Sequence, residues 1–278
     1  MSPSGAQRSA ISRGRIHVGT GSFMLHQLEI TTRCNFSCFY CAGRDMPQRD
    51  MAWERFVGIV DAIAKPRVTV SLQGEGEPSL HPRFWDMVAH VKLRGHGPYT
   101  ILNGSRVDAD RIAANLPTVA VSVDTLDPAE AERIGRHNLQ KVMDNVEALV
   151  AAMGAGRIVI MSVDVGQPMD LLREWVRLNR FQHHVVQPLQ PKADYAKRYR
   201  VAPPKPLPRL PMTCRFVERD LMRFHPLEGP ALPCAFIKDT TGIVSIAGLR
   251  QAIGTGEPPA GCLGCRELRP KAPAAALR

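Results

Sequence analysis

Between residues 24 and 189, short apolar runs alternate with longer segments whose apolar positions recur at helical spacing. The runs Met24–Thr31, Arg67–Gln73, Tyr99–Asn103, Thr118–Val123, Arg157–Val163 and His184–Pro188 predict strands. Met51–Ala64, Pro82–Arg94, Asp108–Asn115, Asn138–Met153 and Met169–Arg180 predict helices. Val142, Val146, Leu149 and Val150 form one helical stripe, and Leu171, Leu172, Trp175, Val176 and Leu178 another; both read as core packing. Strands that alternate with helices require a parallel sheet, so the expected fold is α/β, a partial (β/α)6 parallel barrel spanning 24–189.

The pattern breaks after the sixth strand. Pro188, Pro191, Pro203, Pro204, Pro206, Pro208 and Pro211 sustain neither a helix nor a central strand, so 190–211 is expected to be a linker. Residues 212–268 hold four cysteines, several glycines and only short patterns. Such a segment has little core of its own, and a metal is expected to staple it into a small domain. The tail 269–278 reads as disordered. Residues 1–23 carry Arg8, Arg13 and Arg15 without an acid, a faint imitation of a transit peptide, but lack an apolar h-region. They read as a loose extension of a cytoplasmic protein. No stretch approaches the roughly 20 apolar residues that span a bilayer.

Composition adds two constraints. Seven cysteines cannot close a disulfide framework among themselves, which favours a reducing compartment and metal-bound thiolates. The net charge of +10 is spread widely, with one concentration at Lys192, Lys197, Arg198, Arg200, Lys205 and Arg209. That cluster reads either as a solvated linker or as a clamp for a phosphate, a carboxylate or nucleic acid. Aromatic residues are only 6%, too few for a base-stacking platform, so nucleic acid is disfavoured as a partner.

The cysteines fall into two groups. Cys34, Cys38 and Cys41 form a Cys-x3-Cys-x2-Cys run directly after the first predicted strand, at the end of a barrel strand where chemistry is placed on loops. Thiolates so spaced suit an iron–sulfur cluster with one iron left open to a non-protein ligand. A zinc site would need a fourth ligand, for which His26 and His81 are conceivable.

Several further motifs, each at a predicted strand end, resemble the radical S-adenosylmethionine (SAM) superfamily. Tyr40 precedes the last cysteine as the family's aromatic does. Gln73-Gly-Glu-Gly-Glu-Pro-Ser-Leu80 is similar to its glycine–glutamate–proline motif, Leu102-Asn-Gly104 to its Thr-Asn-Gly, and Ser122 falls at a position that often contacts SAM. The resemblance covers about 160 residues and implies a [4Fe–4S] cluster on the three cysteines. It also implies SAM bound near Tyr40, Gly76, Glu77, Asn103 and Ser122, and a reductant such as flavodoxin or ferredoxin. One electron would cleave SAM to a 5′-deoxyadenosyl radical that abstracts a substrate hydrogen.

Strand alternation offers Gln27, Glu29, Gln73, Asn103, Ser122, Asp124, Ser162, Asp164 and Gln187 as polar residues facing the barrel interior, which suggests a polar ligand. Cys214, Cys234, Cys262 and Cys265 resemble the auxiliary-cluster region of the SPASM/Twitch subgroup, in the shorter Twitch form, and imply a second [4Fe–4S] cluster; a structural zinc ribbon is the alternative. If all four bind metal, no thiol remains to return a hydrogen atom, and oxidation is favoured over epimerisation. His183, His184, Asp124 and the linker arginines are candidate bases. The expected activity is oxidation of a small polar metabolite such as an aminocyclitol or sugar alcohol. The alternatives are a peptide maturase, an epimerase, or a non-catalytic metal module that binds nucleic acid.

Overall fold

The computed structural model describes residues 25–190, 192 and 210–271. The predicted stretch 1–23, most of the 190–211 linker and residues 272–278 of the tail lie outside them. Helices α1 (Trp53–Asp61), α2 (Phe84–Leu93), α3 (Ala109–Asn115), α5 (Leu139–Met153) and α6 (Asp170–Leu178) stand where periodicity places them, trimmed at their ends. A further helix, α4 (Pro128–Ile134), starts with Pro128 behind the Asp127 cap and ends at Gly135.

Strands β1 (Leu25–Leu28), β2 (Thr69–Leu72), β3 (Gly97–Tyr99), β4 (Ile101–Leu102), β5 (Val119–Ser122), β6 (Ile158–Asp164) and β7 (His183–Pro188) run parallel in two sheet segments. β3 and β4 are one strand divided at Thr100. The first half pairs with β2 and the second with β5, while Thr100 Oγ1 donates to Leu72 O at 2.7 Å.

A seventh parallel strand comes from the C-terminal region. β9 (Met222–His225) pairs with β1 in register Leu25↔Met222. Around it lie β8 (Met212–Cys214), which pairs antiparallel with β10 (Leu268–Pro270), and helices α7 (Arg215–Arg219) and α8 (Ile246–Thr255). Met212, Val217, Met222, Phe224, Leu232, Ile237, Leu249 and Ile253 form a second core there.

The main core places each strand's faces. Leu28, Val70, Leu72, Leu102, Val119, Val121, Ile158 and Ile160 pack on Phe56, Val60, Met87, Val146 and Leu149 of the helices. On the opposite face Tyr99, Ile101, Ala120, Val159, Met161 and Val185 meet one another. By alternation Gln27, Glu29, Gln73, Asn103, Ser122, Asp124 and Gln187 share this inner face. Ser162 and Asp164 do not. They follow Ile158 and Ile160 onto the helix side, where Ser162 Oγ meets His184 Nε2 at 2.9 Å. β6 runs one register step from the expected parity.

Candidate active site

The loop after β1 carries the first three cysteines and is held from two sides. Arg33 Nε and Nη2 grip Asp50 at 3.1 and 2.5 Å, and Thr31 pairs with Asp50 across an isolated bridge. On the other side α4 delivers its C-terminus. Ser37 N donates to Gly135 O at 2.9 Å, and Phe39 N to Ile134 O at 3.0 Å. Gly135 has φ +94, and a Cβ there would stand 2.4 Å from Ser37 O, so only glycine lets the cap and the loop meet. A Cβ on Gly76 would likewise lie 2.5 Å from Thr31 O. The loop after β2 therefore lies along the cysteine loop, with Glu77 N donating to Arg33 O at 2.8 Å.

Cys34, Cys38 and Cys41 line one pocket, partly open to solvent, with Gly43, Arg44, Gln48 and Glu75 on its wall. Phe36 N and Gly43 N point at Cys34 Sγ and Cys41 Sγ at 3.4 and 3.3 Å. Burial pushes all three thiols upward, Cys41 most, with the Glu75 carboxylate adding to it. Metal binding would release these protons. Neither histidine considered for a fourth ligand lines the pocket. His81 Nδ1 accepts from Arg83 N, and its Nε2 faces Met51 O, while His26 Nδ1 faces His225 Nε2. The three thiols are thus left with an open side.

The motif residues expected at SAM do not line this pocket but tie the neighbouring loops and strands together. Glu77 is buried, and its carboxylate accepts from Ser79 N at 3.1 Å and Asn103 N at 2.6 Å, which ties β2 to β4. Burial raises its pKa despite those hydrogen bonds. Asn103 Nδ2 donates to Asn35 Oδ1 at 2.9 Å and lies 3.8 Å from Cys34 Sγ. Ser122 O accepts from Arg136. Tyr40 turns its hydroxyl to Asp124 Oδ2 at 2.6 Å.

Three charged residues were not singled out for these roles by sequence. Arg136 pairs with Asp124 and donates to Tyr40 Oη at 2.7 Å, so Asp124 is engaged in an ion pair. Among the other candidate bases, His184 sits on Ser162 outside the barrel interior, and the linker arginines Arg198, Arg200 and Arg209 lie outside the described residues. Glu75 reaches into the pocket, with Oε2 3.4 Å from Cys41 Sγ, and Lys238 meets its Oε1 at 2.5 Å. Burial works against the charge of Glu75, but Lys238 outweighs it and leaves the carboxyl below its ordinary range. Only Glu75 lay within a recognised motif; Arg136 and Lys238 carry no local signal.

Residues 28–177 match the family model for the radical SAM superfamily. The chain belongs to that superfamily. The tungsten-containing aldehyde ferredoxin oxidoreductase cofactor-modifying protein of Pyrococcus furiosus is 36% identical over 112 residues, 37% of this chain and 31% of that one. A GTP 3′,8-cyclase of Nitrobacter hamburgensis is 34% identical over 142 residues, 45% of this chain and 40% of that one. The chain thus matches only about three to four tenths of the length of these two curated relatives. In fold it is similar to Streptococcus suis SuiB bound to S-adenosylmethionine, with TM-score 0.57 and 14% identity over 81% of this chain and 62% of SuiB. Radical SAM membership implies SAM and a [4Fe–4S] cluster, and the pocket fits the cluster: three soft donors, backbone N–H groups aimed at sulfur, and an open fourth side.

The second cysteine group also converges. Cys214, Cys234, Cys262 and Cys265 line one cavity with Phe216, Phe236, Ile237 and Lys192. Burial and mutual repulsion push Cys234 up to about 11 and Cys262 up to about 12. Among the described residues no group of three or more His, Cys, Asp or Glu side chains is placed to hold a single metal ion. Lys192, which its neighbours along the chain mark as linker charge, is 1% exposed and inside this wall. No helix among the described residues is long and apolar enough to cross a membrane.

Proposed function

We propose that the chain is a radical SAM oxidoreductase of the SPASM/Twitch type that dehydrogenates a small polar metabolite. SAM and the cluster on Cys34, Cys38 and Cys41 supply, when bound, the 5′-deoxyadenosyl radical that takes a hydrogen atom from a substrate carbon. Tyr40, Gly76, Glu77, Asn103 and Ser122 shape the SAM pocket, and Gln27, Glu29, Gln73 and Gln187 offer hydrogen bonds to a polar substrate from the inner face. The substrate radical then gives up one electron and, from an adjacent hydroxyl, one proton, leaving a carbonyl.

The observation that carries oxidation is the convergence of Cys214, Cys234, Cys262 and Cys265 on one cavity. The other three of the seven cysteines line the first pocket, so none stands apart as the hydrogen donor that epimerisation requires. A second [4Fe–4S] cluster on the four cysteines is the natural acceptor for the electron. A flavodoxin or ferredoxin would supply the electron that starts the cycle.

Anaerobic reconstitution with dithionite, SAM and a panel of deuterated aminocyclitols and sugar alcohols tests this reading. The expected result is deuterium transfer into 5′-deoxyadenosine with a carbonyl product. No 5′-deoxyadenosine above a Cys34→Ala control would overturn SAM cleavage. Deuterium transfer followed by recovery of an inverted alcohol would overturn oxidation.

A further inference from the structure

Lysine is almost never fully buried unless something answers its charge. Lys192 is 1% exposed. The chain leaving β7 is pinned against the C-terminal segment: Arg266 Nε donates to Leu189 O at 2.8 Å, and Arg266 N to Gln190 Oε1 at 3.4 Å. Two residues on, the Lys192 side chain enters the cavity lined by the four cysteines, and its ammonium donates to Phe236 O, two residues after Cys234.

Among the described residues, the titratable groups around this ammonium are chiefly thiols. Its charge pulls Cys262, Cys234 and Cys265 downward against the burial that raises them, and it also acts on the half-buried Asp239. Glu267, on the same wall, is engaged by Arg215 at 2.7 Å. Lys192 and the four thiols line the same cavity. Once they are thiolates around an iron–sulfur core the site is negative, and reduction makes it more so. A fixed positive charge at short range in a low-dielectric wall then favours the reduced form over the oxidised one.

We infer that Lys192 is a built-in countercharge of the four-cysteine site and raises the reduction potential of the cluster held there. This rests on the reading of that site as an iron–sulfur cluster. It gives the cluster the bias an electron acceptor needs, and it makes Lys192 a positioning residue for oxidation that touches neither SAM nor the barrel interior.

The test uses the full chain with Cys34, Cys38 and Cys41 replaced by Ala, so that only the C-terminal site is loaded. After anaerobic reconstitution, metal content is measured and the cluster is titrated with dithionite under electron paramagnetic resonance. Lys192→Met should keep its iron and shift the midpoint to a more negative potential, while Lys192→Arg should return it towards the parent. Should Met prevent cluster uptake, Lys192→Gln, which keeps a donor for Phe236 O without the charge, carries the same comparison. An unchanged midpoint at unchanged iron content would overturn the role of Lys192. Zinc in place of iron in the parent would instead overturn the cluster reading, a failure visible before any titration.

Discussion

Lys238 Nζ stands 2.5 Å from Glu75 Oε1, in a contact that joins the C-terminal segment to the loop behind the first cysteine group. The two side chains are 16% and 17% exposed, and Glu75 Oε2 lies 3.4 Å from Cys41 Sγ. A carboxylate so close to a metal-ligating thiolate would repel it. The ammonium offsets that repulsion, and Glu29 adds a further negative group facing Lys238. The cysteine-rich region therefore takes part in the electrostatics of the three-cysteine pocket.

Removing the cation alone should be costly. Lys238→Met leaves Glu75 without its partner, and breaking such a buried pair costs on the order of 3 kcal/mol. Glu75→Gln in the same chain should recover a good part of this, since the stranded charge is gone. Thermal unfolding of the two single variants and the double variant measures the coupling. Additive losses would show that the pair contributes nothing beyond its separate side chains.

Gly135 should be intolerant of a side chain. Gly135→Ala must place a Cβ 2.4 Å from Ser37 O at φ +94, so α4 and the cysteine loop cannot keep their contact. The expected outcome is loss of iron from the first site, similar to that of Cys34→Ala, with circular dichroism little changed. Full iron retention would mean that the loop finds another support.

Stability should fall with acid through a histidine pair. His26 and His225 stack across β1 and β9 with ring centroids 5.4 Å apart and Nδ1 to Nε2 at 3.2 Å. Burial lowers both, His225 to about 4, with Arg55, Arg223 and the neighbouring imidazole pushing the same way and Asp220 opposing at His26. An unfolded histidine titrates near 6.5. Between about 6.5 and about 4 the unfolded chain binds more protons than the folded one, so stability declines as pH falls through that window and is insensitive to this pair above it. Melting temperatures between pH 7.5 and 5 should show the decline, and His225→Phe should flatten it. An equal slope in the variant would remove the pair from the account.

Most barrel strands and helices were legible because they bury one face, so that Leu28, Val70, Val121 and Ile160 repeat a pattern that chain order preserves, whereas on α6 only Leu172 and Val176 of the expected stripe are buried and Leu171 and Leu178 are exposed. Helix α4 was not, since only Ala131 and Ile134 are buried on its two turns, yet its Gly135 positions Cys38. β9 is four residues long and owes its existence to a partner at the other end of the chain. Polarity alone places Ser162 in the barrel interior, whereas Ile160, two residues before it on the same face, packs in the core on the helix side. Lys192 and Lys238 look like ordinary surface charge in sequence. Their roles arise from groups that only folding brings to them.

The C-terminal cysteines should hold metal apart from the first three. Replacing Cys262 and Cys265 by Ala removes the closing pair of the cavity, including the buried Cys262 on which Cys234, Cys265 and Cys214 all act. With two cubes the parent should contain about eight irons per chain, and the double variant about four. Because the first pocket draws its thiols and its glycine supports from the barrel, SAM cleavage should survive. Conversion of substrate should not, since the radical then has nowhere to send its electron. The Lys238 contact to Glu75 comes four residues after Cys234, so loosening this site should also perturb the magnetic resonance signal of the remaining cluster. Retained conversion in the double variant would assign the electron to another acceptor and leave the four-cysteine site a structural staple.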